Sequence, residues 1–371
     1  MLERNNKMSQ TITFFPLGNA ETILLELSNG KNLLFDYADT HTNDLSDKRI
    51  NLADELKDKE LFDVVMFSHA HDDHVCGAKD FFEFDHAQKY QGDGRAVVKE
   101  LWVSSAFILD KELDSEDARV IRQEARHRLK NKNGILVFAE PDELGVWLES
   151  NGMSSDDVDG LIIHAGTILD NSLHSLGDEV QFFVHAPFSE DAEGVTDRNE
   201  PSIVMQVRLK NQSRETNILI TGDTSHSVLE KIVIRSEDNN NSEYLSWDMY
   251  DIPHHCSYLS LSDEKGDKMT TPTDVIIRLL LDYSQPNSVM VASCKPVSEN
   301  SANDQPPHIE AKKAYEHFSG NKKFLATMEY PTKQNPKPLR YCIDSFGIQE
   351  KLPRSASILA SPAPRAGNMD E

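Results

Sequence analysis

Three imidazoles and a carboxylate stand within six residues at His69-x-His71-x-Asp73-His74. Imidazole nitrogen and carboxylate oxygen together suit Zn²⁺, with Mn²⁺ or Fe as alternatives. His69 and His71 can converge on one ion while Asp73 and His74 turn to a second. The chain holds 14 His in 371 residues, so composition alone does not explain this density. Two ions need further ligands, ideally one carboxylate between them. The run Ile218-Leu219-Ile220-Thr221-Gly222-Asp223 offers one, an apolar segment ending in Gly-Asp. A second apolar segment, Tyr250-Asp251-Ile252-Pro253, ends in His254-His255. Taken singly, a Gly-Asp is more often a turn or helix cap, and a His pair is as often surface or core. Their order along the chain is what points to a dinuclear metal centre.

Side chains so spaced need strands to aim them. Phe62-Asp63-Val64-Val65-Met66-Phe67-Ser68 reads as a buried strand that breaks directly into the His-rich run, and strand ends are where layered α/β proteins present functional groups. Upstream, Thr11–Phe15, Thr22–Leu27 and Asn32–Asp36 read as strands, with Asn29-Gly30 a hairpin signal between the last two. A charged stretch from Asp44 to Glu60 carries Leu45, Ile50, Leu52 and Leu56 at roughly helical spacing. Strands are further expected at Leu101–Val103, Val180–Val184, Met249–Ile252 and Val289–Ala292, with Ile203–Leu209 and Asn217–Thr221 as a hairpin. Strands separated by helices give a layered α/β protein.

Between about 110 and 155 the pattern turns charged and helical. Ser115-Glu116-Asp117 supplies a cap and an acidic first turn, and Ala118, Ile121, Ala125 and Leu129 share one face. Residues 119–132 carry Arg119, Arg122, Arg126, Arg128, Lys130 and Lys132 against Glu124, net +5 in a chain of net charge −24. This stretch reads as a helical insert, either a solvated face or a surface for phosphate or a protein partner. Residues 353–371 form a Ser/Pro/Ala-rich tail expected to be disordered. The four cysteines form no CxxC pair, and no apolar run approaches 18 residues. No secretory signal is visible. A cytoplasmic protein without a membrane span is therefore expected. The acidity argues against a surface that attracts nucleic acid everywhere, though not against a local basic groove.

The sequence resembles the metallo-β-lactamase-fold hydrolases, and among them is most similar to the ComEC-like hydrolase domain of DNA-uptake proteins. The resemblance rests on the His-x-His-x-Asp-His run, on Gly18–Leu25, on Asn29–Asp36, on Leu219–Asp223, on Pro253-His254-His255-Cys256-Ser257, and loosely on Pro306-Pro307-His308. It implies a four-layer αβ/βα sandwich over residues 1–352. It further implies that His69 and His71 bind one metal, Asp73 and His74 the other, and Asp223 both. One of His254 and His255 would complete the second site and the other would contact substrate. Asp36 would brace the metal loop. The sequence departs from the pattern where most of the superfamily carries a further His: here the slot reads Asn199-Glu200-Pro201-Ser202, and His185 is the best substitute ligand. Asp251 stands where the group often carries Lys.

The expected chemistry is hydrolysis by water activated between two divalent ions, with Asp73 orienting it and His308 or Ser257 steadying a phosphate or leaving group. The leading class is a phosphodiesterase or nuclease, within a bacterial defence or DNA-processing system. The alternatives are a small-molecule hydrolase acting on a lactone, thioester or amide, and a partner-dependent subunit of a larger assembly. A basic stripe from 119–132 to the metals would favour nucleic acid; a uniformly acidic rim would favour a small neutral substrate.

Overall fold

The computed structural model describes residues 9–194, 197–212, 214–299, 304–320 and 322–352. The expected disordered tail, 353–371, lies outside the described residues. The chain first lays down β1 (Gln10–Phe14), β2 (Ile23–Glu26), β3 (Asn32–Phe35), β4 (Leu61–Phe67), β5 (Val97–Ser104), β6 (Ile135–Phe138) and β7 (Ile162–Ile163). It then crosses to β8 (Ile168–Leu169), β9 (Val180–Ala186), β10 (Val204–Asn211), β11 (Arg214–Ile220), β12 (Trp247–Asp251), β13 (Ser284–Ala292) and β14 (Lys323–Ala326). Finally β15 (Leu339–Asp344) and β16 (Gly347–Lys351) return to the first sheet. The first sheet runs β16-β15-β1-β2-β3-β4-β5-β6-β7 and the second β14-β13-β12-β11-β10-β9-β8. Each is antiparallel at one side and parallel at the other.

Helices cover the outer faces. Those of the first half are α1 (Leu52–Leu56), α2 (Asp72–Val75), α3 (Ala78–Phe81), α4 (Ser105–Leu109), α5 (Glu116–Asn131) and α6 (Asp142–Ser150); those of the second are α7 (His226–Asp238), α8 (Asp274–Leu281) and α9 (Ile309–Phe318). Alternation along the strands sorts the apolar residues into three cores. Ile12, Phe14, Val64 and Met66 meet Phe182, Val184, Met205 and Met249 between the sheets. Phe62, Val65 and Phe67 face Ile121, Ala125 and Leu129 of α5. Leu219 and Tyr250 face Val228, Leu229 and Ile232 of α7. Fully burying one such side chain contributes roughly 1.5–3 kcal/mol, against about 0–1 for an exposed ion pair. These cores, and not the surface charges, hold the layers together.

The expected strands all form, and the Asn29-Gly30 turn joins β2 to β3 with Gly30 at φ +86°. Two expectations need correction. The helix expected over 44–60 shrinks to α1, with Asn51 capping it through the Asp54 amide. Ahead of it, Asp44 and Asp47 accept from Ser46, Thr42 and Arg49. Such local side-chain bonds compete with helix, and Leu45 is fully exposed. The stretch 110–155 is not an insert. It holds β6, hydrogen-bonded between β5 and β7, and α5 and α6 flank it. The apolar run Ile135-Leu136-Val137-Phe138 was the readable signal, masked by the charge around it.

The basic residues of α5 also have an internal use. Arg119, Arg122 and Arg126 donate to the carbonyls of Leu113, Asp110 and Ile108, at and beyond the end of α4, where orphan carbonyls and the helix dipole favour cations. Arg128 pairs with buried Glu124 at 2.6 Å and donates to the carbonyls of Val98, Lys99 and Gly134. This helix is therefore not a free basic stripe. None of the described helices is long and apolar enough to cross a membrane.

Candidate metal centre

Strand ends from both sheets meet at one edge. Asp36, just past β3, adopts a left-handed backbone (φ 54°). Its carboxylate accepts the Ser68 amide at 2.7 Å, the Ser68 hydroxyl at 2.6 Å and His74 Nδ1 at 2.7 Å. The loop after β4 is thus tied to the end of β3. It is tied again by Tyr37 N to the His74 carbonyl and Glu21 N to the Asp73 carbonyl. His71 starts α2, which places Asp73 and His74 in its short turn.

Three imidazoles of the cluster share one orientation. His69 Nδ1 lies 3.0 Å from Ser68 Oγ, His74 Nδ1 2.7 Å from Asp36, and His255 Nδ1 2.7 Å from the Ser293 carbonyl. Each Nδ1–H has an oxygen acceptor, so each Nε2 lone pair turns inward, the outer-shell pattern of metal-ligating histidines. Ligand atoms of Asp73, His74, Asp223 and His255 all lie within 4.8 Å of one another. His255 Nε2 is 3.1 Å from Asp73 Oδ2 and 3.7 Å from Asp223 Oδ2. His74 Nε2 and Asp223 Oδ1 face each other at 3.2 Å, both buried and neither hydrogen-bonded. Beside them His69 Nε2 stands 3.1 Å from His71 Nδ1. Two nitrogens bound tetrahedrally at 2.0–2.1 Å would be about 3.3–3.4 Å apart. The residues present therefore fit divalent ions: N and O donors, two orphaned buried atoms and near-ligand spacing.

The electrostatics agree. Burial disfavours charge on His74, yet the Asp223 and Asp36 carboxylates hold its pKa well above the usual value. His255 is likewise raised against burial, to about 9, by Asp223 and by its hydrogen bond to Asp73. His69 is held neutral by burial and by His74. Asp223 and Asp73 resist the upward push of burial and fall below the carboxylate range because these imidazoles face them. The carboxylates demand positive charge, which protons supply when no cation does.

Of the pair, His255 joins the cluster and His254 does not. The ring of His254 lies 6.5 Å from that of His255, and its amide donates to the Gly222 carbonyl. Residues 254–256 are consecutive left-handed residues (φ 51°, 53°, 66°), a sharp turn that only local over-determination sustains. His308 is buried at the start of α9, its ring 5.0 Å from that of Tyr258, and no hydrogen bond joins it to the cluster. Ser257 Oγ accepts the Leu259 amide and caps a short turn. The expectation for His185 is corrected: it lies on β9, its Nε2 bonds the Tyr244 carbonyl, and it lines a separate cavity. Alternation along β9 sends Val184 between the sheets and His185 to the outer face.

Some participants carry no motif. Ser68 and the Ser293 carbonyl orient imidazoles, and the second acts through backbone, which no residue type announces. Glu21 is fully buried near Asp36 and His74. Burial and the neighbouring carboxyl of Asp251 push it well up. The slot lacking a His lies beside Ser68 and Gly222, where Asn199 Oδ1 and Ser202 Oγ are buried without partners. The open side is at Asp73 and His71, and His71 walls a cavity of about 990 Å³ with Leu109 and Trp147. Its lining carries both signs of charge, Lys111, Arg126 and Arg198 with Glu112, Glu143 and Asp197. Among known proteins, the chain matches no family model and no curated protein.

Proposed function

We propose that this chain is a metal-dependent hydrolase of the metallo-β-lactamase type, with a dinuclear centre acting on a phosphodiester. The observation that carries this reading is the common orientation of His69, His74 and His255, each held through Nδ1, with Nε2 of His69 turned to His71, that of His74 to Asp223 and that of His255 to Asp73 and Asp223. Divalent ions in such a centre supply Lewis-acid activation of water and ester, so no protein nucleophile is required. His69 and His71 would hold one ion, Asp73, His74 and His255 the other, and Asp223 both. Asp36 and Ser68 keep the imidazoles aimed. His254, outside the ligand set and with a pKa lowered by burial, is a neutral hydrogen-bonding group beside the centre. Substrate would enter from the His71 cavity.

The mixed lining of the cavity and the internally bonded arginines favour a second reading, a small-molecule hydrolase, over a nuclease that tracks a polyanion. Purified protein supplied with Zn²⁺ or Mn²⁺ and assayed in parallel on bis-p-nitrophenyl phosphate, single-stranded DNA, duplex DNA, RNA and a lactone separates the two. Metal-dependent diester cleavage that Asp223→Ala abolishes supports the first. Turnover of the lactone alone supports the second.

A further inference from the structure

The cavity of about 990 Å³ that His71 lines stands at the upper end of small-molecule pockets. A substrate held at the ions therefore has room there for a further group. From α6 the lining takes Glu143, Val146, Trp147 and Ser150, whose spacing puts them on one face of the helix. Leu144 and Leu148 of the same helix are buried in the core. The remaining surface of such a helix is ordinarily polar, yet here it carries Trp147 and Val146, the latter 67 % exposed. Leu109, at the end of α4, joins them in the lining, and α4 packs on α6. Leu109 and Trp147 both rest against the core beneath. Arg126 and Lys130 lie over the Trp147 ring, 5.8 and 5.6 Å from its centroid. The cavity thus has a fixed apolar wall, and a candidate metal ligand stands in the same lining.

Charge narrows what that wall can take. The lining holds three basic side chains against four acidic ones, Asp110 included. Two of the three cations are bonded internally: Arg198 donates to Asp110, Asp114 and the Glu112 carbonyl, and Arg126 to the Ile108 carbonyl. Such a lining offers little to a second anionic group and much to an uncharged one. An aromatic ring suits it best, since the Trp147 ring gains from aromatic contact beyond the area buried. Resting on the hydrolase reading, we infer that the substrate carries an aryl group beside its scissile ester, seated against Leu109, Val146 and Trp147. Trp147 is then a specificity-determining residue. Contact made this far from the reacting atoms can be used to hold the ester in place at the ions.

The test is isothermal titration of the full chain, supplied with Zn²⁺, with diphenylphosphinate and, separately, with dimethylphosphinate. The two share one anionic group and have no ester bond to cleave, so their difference reads the rings. Diphenylphosphinate should bind saturably and tighter by about tenfold or more, from the apolar area a ring buries. Trp102 and Trp247 are fully buried, so acrylamide quenching of tryptophan fluorescence reports Trp147, and diphenylphosphinate should reduce it. Trp147→Ala should bring the two affinities together. Val146→Asp, at a site exposed enough to leave folding intact, puts a charge on the wall and should narrow the gap as well. Equal affinities on the unaltered protein, no saturable binding of diphenylphosphinate, unchanged quenching, or a preference that survives both substitutions would overturn the inference. Turnover of bis-p-nitrophenyl phosphate by the same preparation keeps the two claims apart. Turnover without ring preference refutes the aryl subsite, whereas ring preference without turnover of any ester refutes the hydrolase and leaves the cavity an aryl-binding site.

Discussion

At the scale of single residues, charge balance governs the cluster. Asp223 faces both His74 and His255, so its loss should release cations from both halves of the centre. Asp223→Ala is expected to lower bound metal from about two equivalents toward zero by elemental analysis; retention of both would remove it from the shared position. His255→Ala should lose metal, whereas His254→Ala should keep metal and lose turnover. Two fully active variants would take this segment out of the site. The pKa of His255, raised from 6.5 to about 9, gives a pH dependence of definite sign. Its imidazolium stabilises the metal-free fold fully below about pH 6.5, and that contribution fades as pH rises through about 9. A metal needs the neutral rings of His255 and His74, both raised, so metal affinity should climb with pH through and beyond the range where His255 loses its proton. Titration with Zn²⁺ at several pH values checks this, and a flat profile would contradict it.

At the scale of elements, tight turns aim these residues. Gly222, after β11, has φ +53°, and a Cβ there would meet Ser68 at 3.2 Å. Gly222→Ala should cost roughly 1–2 kcal/mol of stability from the left-handed backbone alone, and it should weaken metal binding by displacing Ser68. Chemical denaturation and metal titration of the variant report the two effects separately. The arginines of α5 make the opposite kind of prediction from a nucleic-acid stripe. Arg122→Ala and Arg126→Ala should lower stability by about 1–3 kcal/mol, by stranding the carbonyls of Asp110 and Ile108, with no steep salt dependence of turnover. Strands were legible here because period-two runs such as Val204–Asn211 name their own faces. The 44–60 region was not, since Leu45 lies on helical spacing yet faces solvent. Nor was β6, whose four apolar residues are short against the charged helices on either side.

At the scale of the whole molecule, two sheets bring together residues separated by about half the length of the domain. His255 Nε2 reaches Asp73 across 182 positions. The sequence order of the His-rich run, Asp223 and the His pair anticipated which residues would gather, because each follows an apolar strand. It could not anticipate the Ser293 carbonyl or the buried Glu21. Nor could it choose between His254 and His255, since a left-handed turn sets their directions. His185 misled because β9 alternation turns it to the outer face. Hydrolysis by this centre requires a pair of ions at the junction of the two sheets. Crystals of protein loaded with Zn²⁺, measured at the zinc absorption edge, test it most directly. Two anomalous peaks about 3.5–4 Å apart are expected, one beside His69 and His71 and one among Asp73, His74 and His255, with Asp223 between them. No peak there, or peaks only at surface carboxylates, would contradict it.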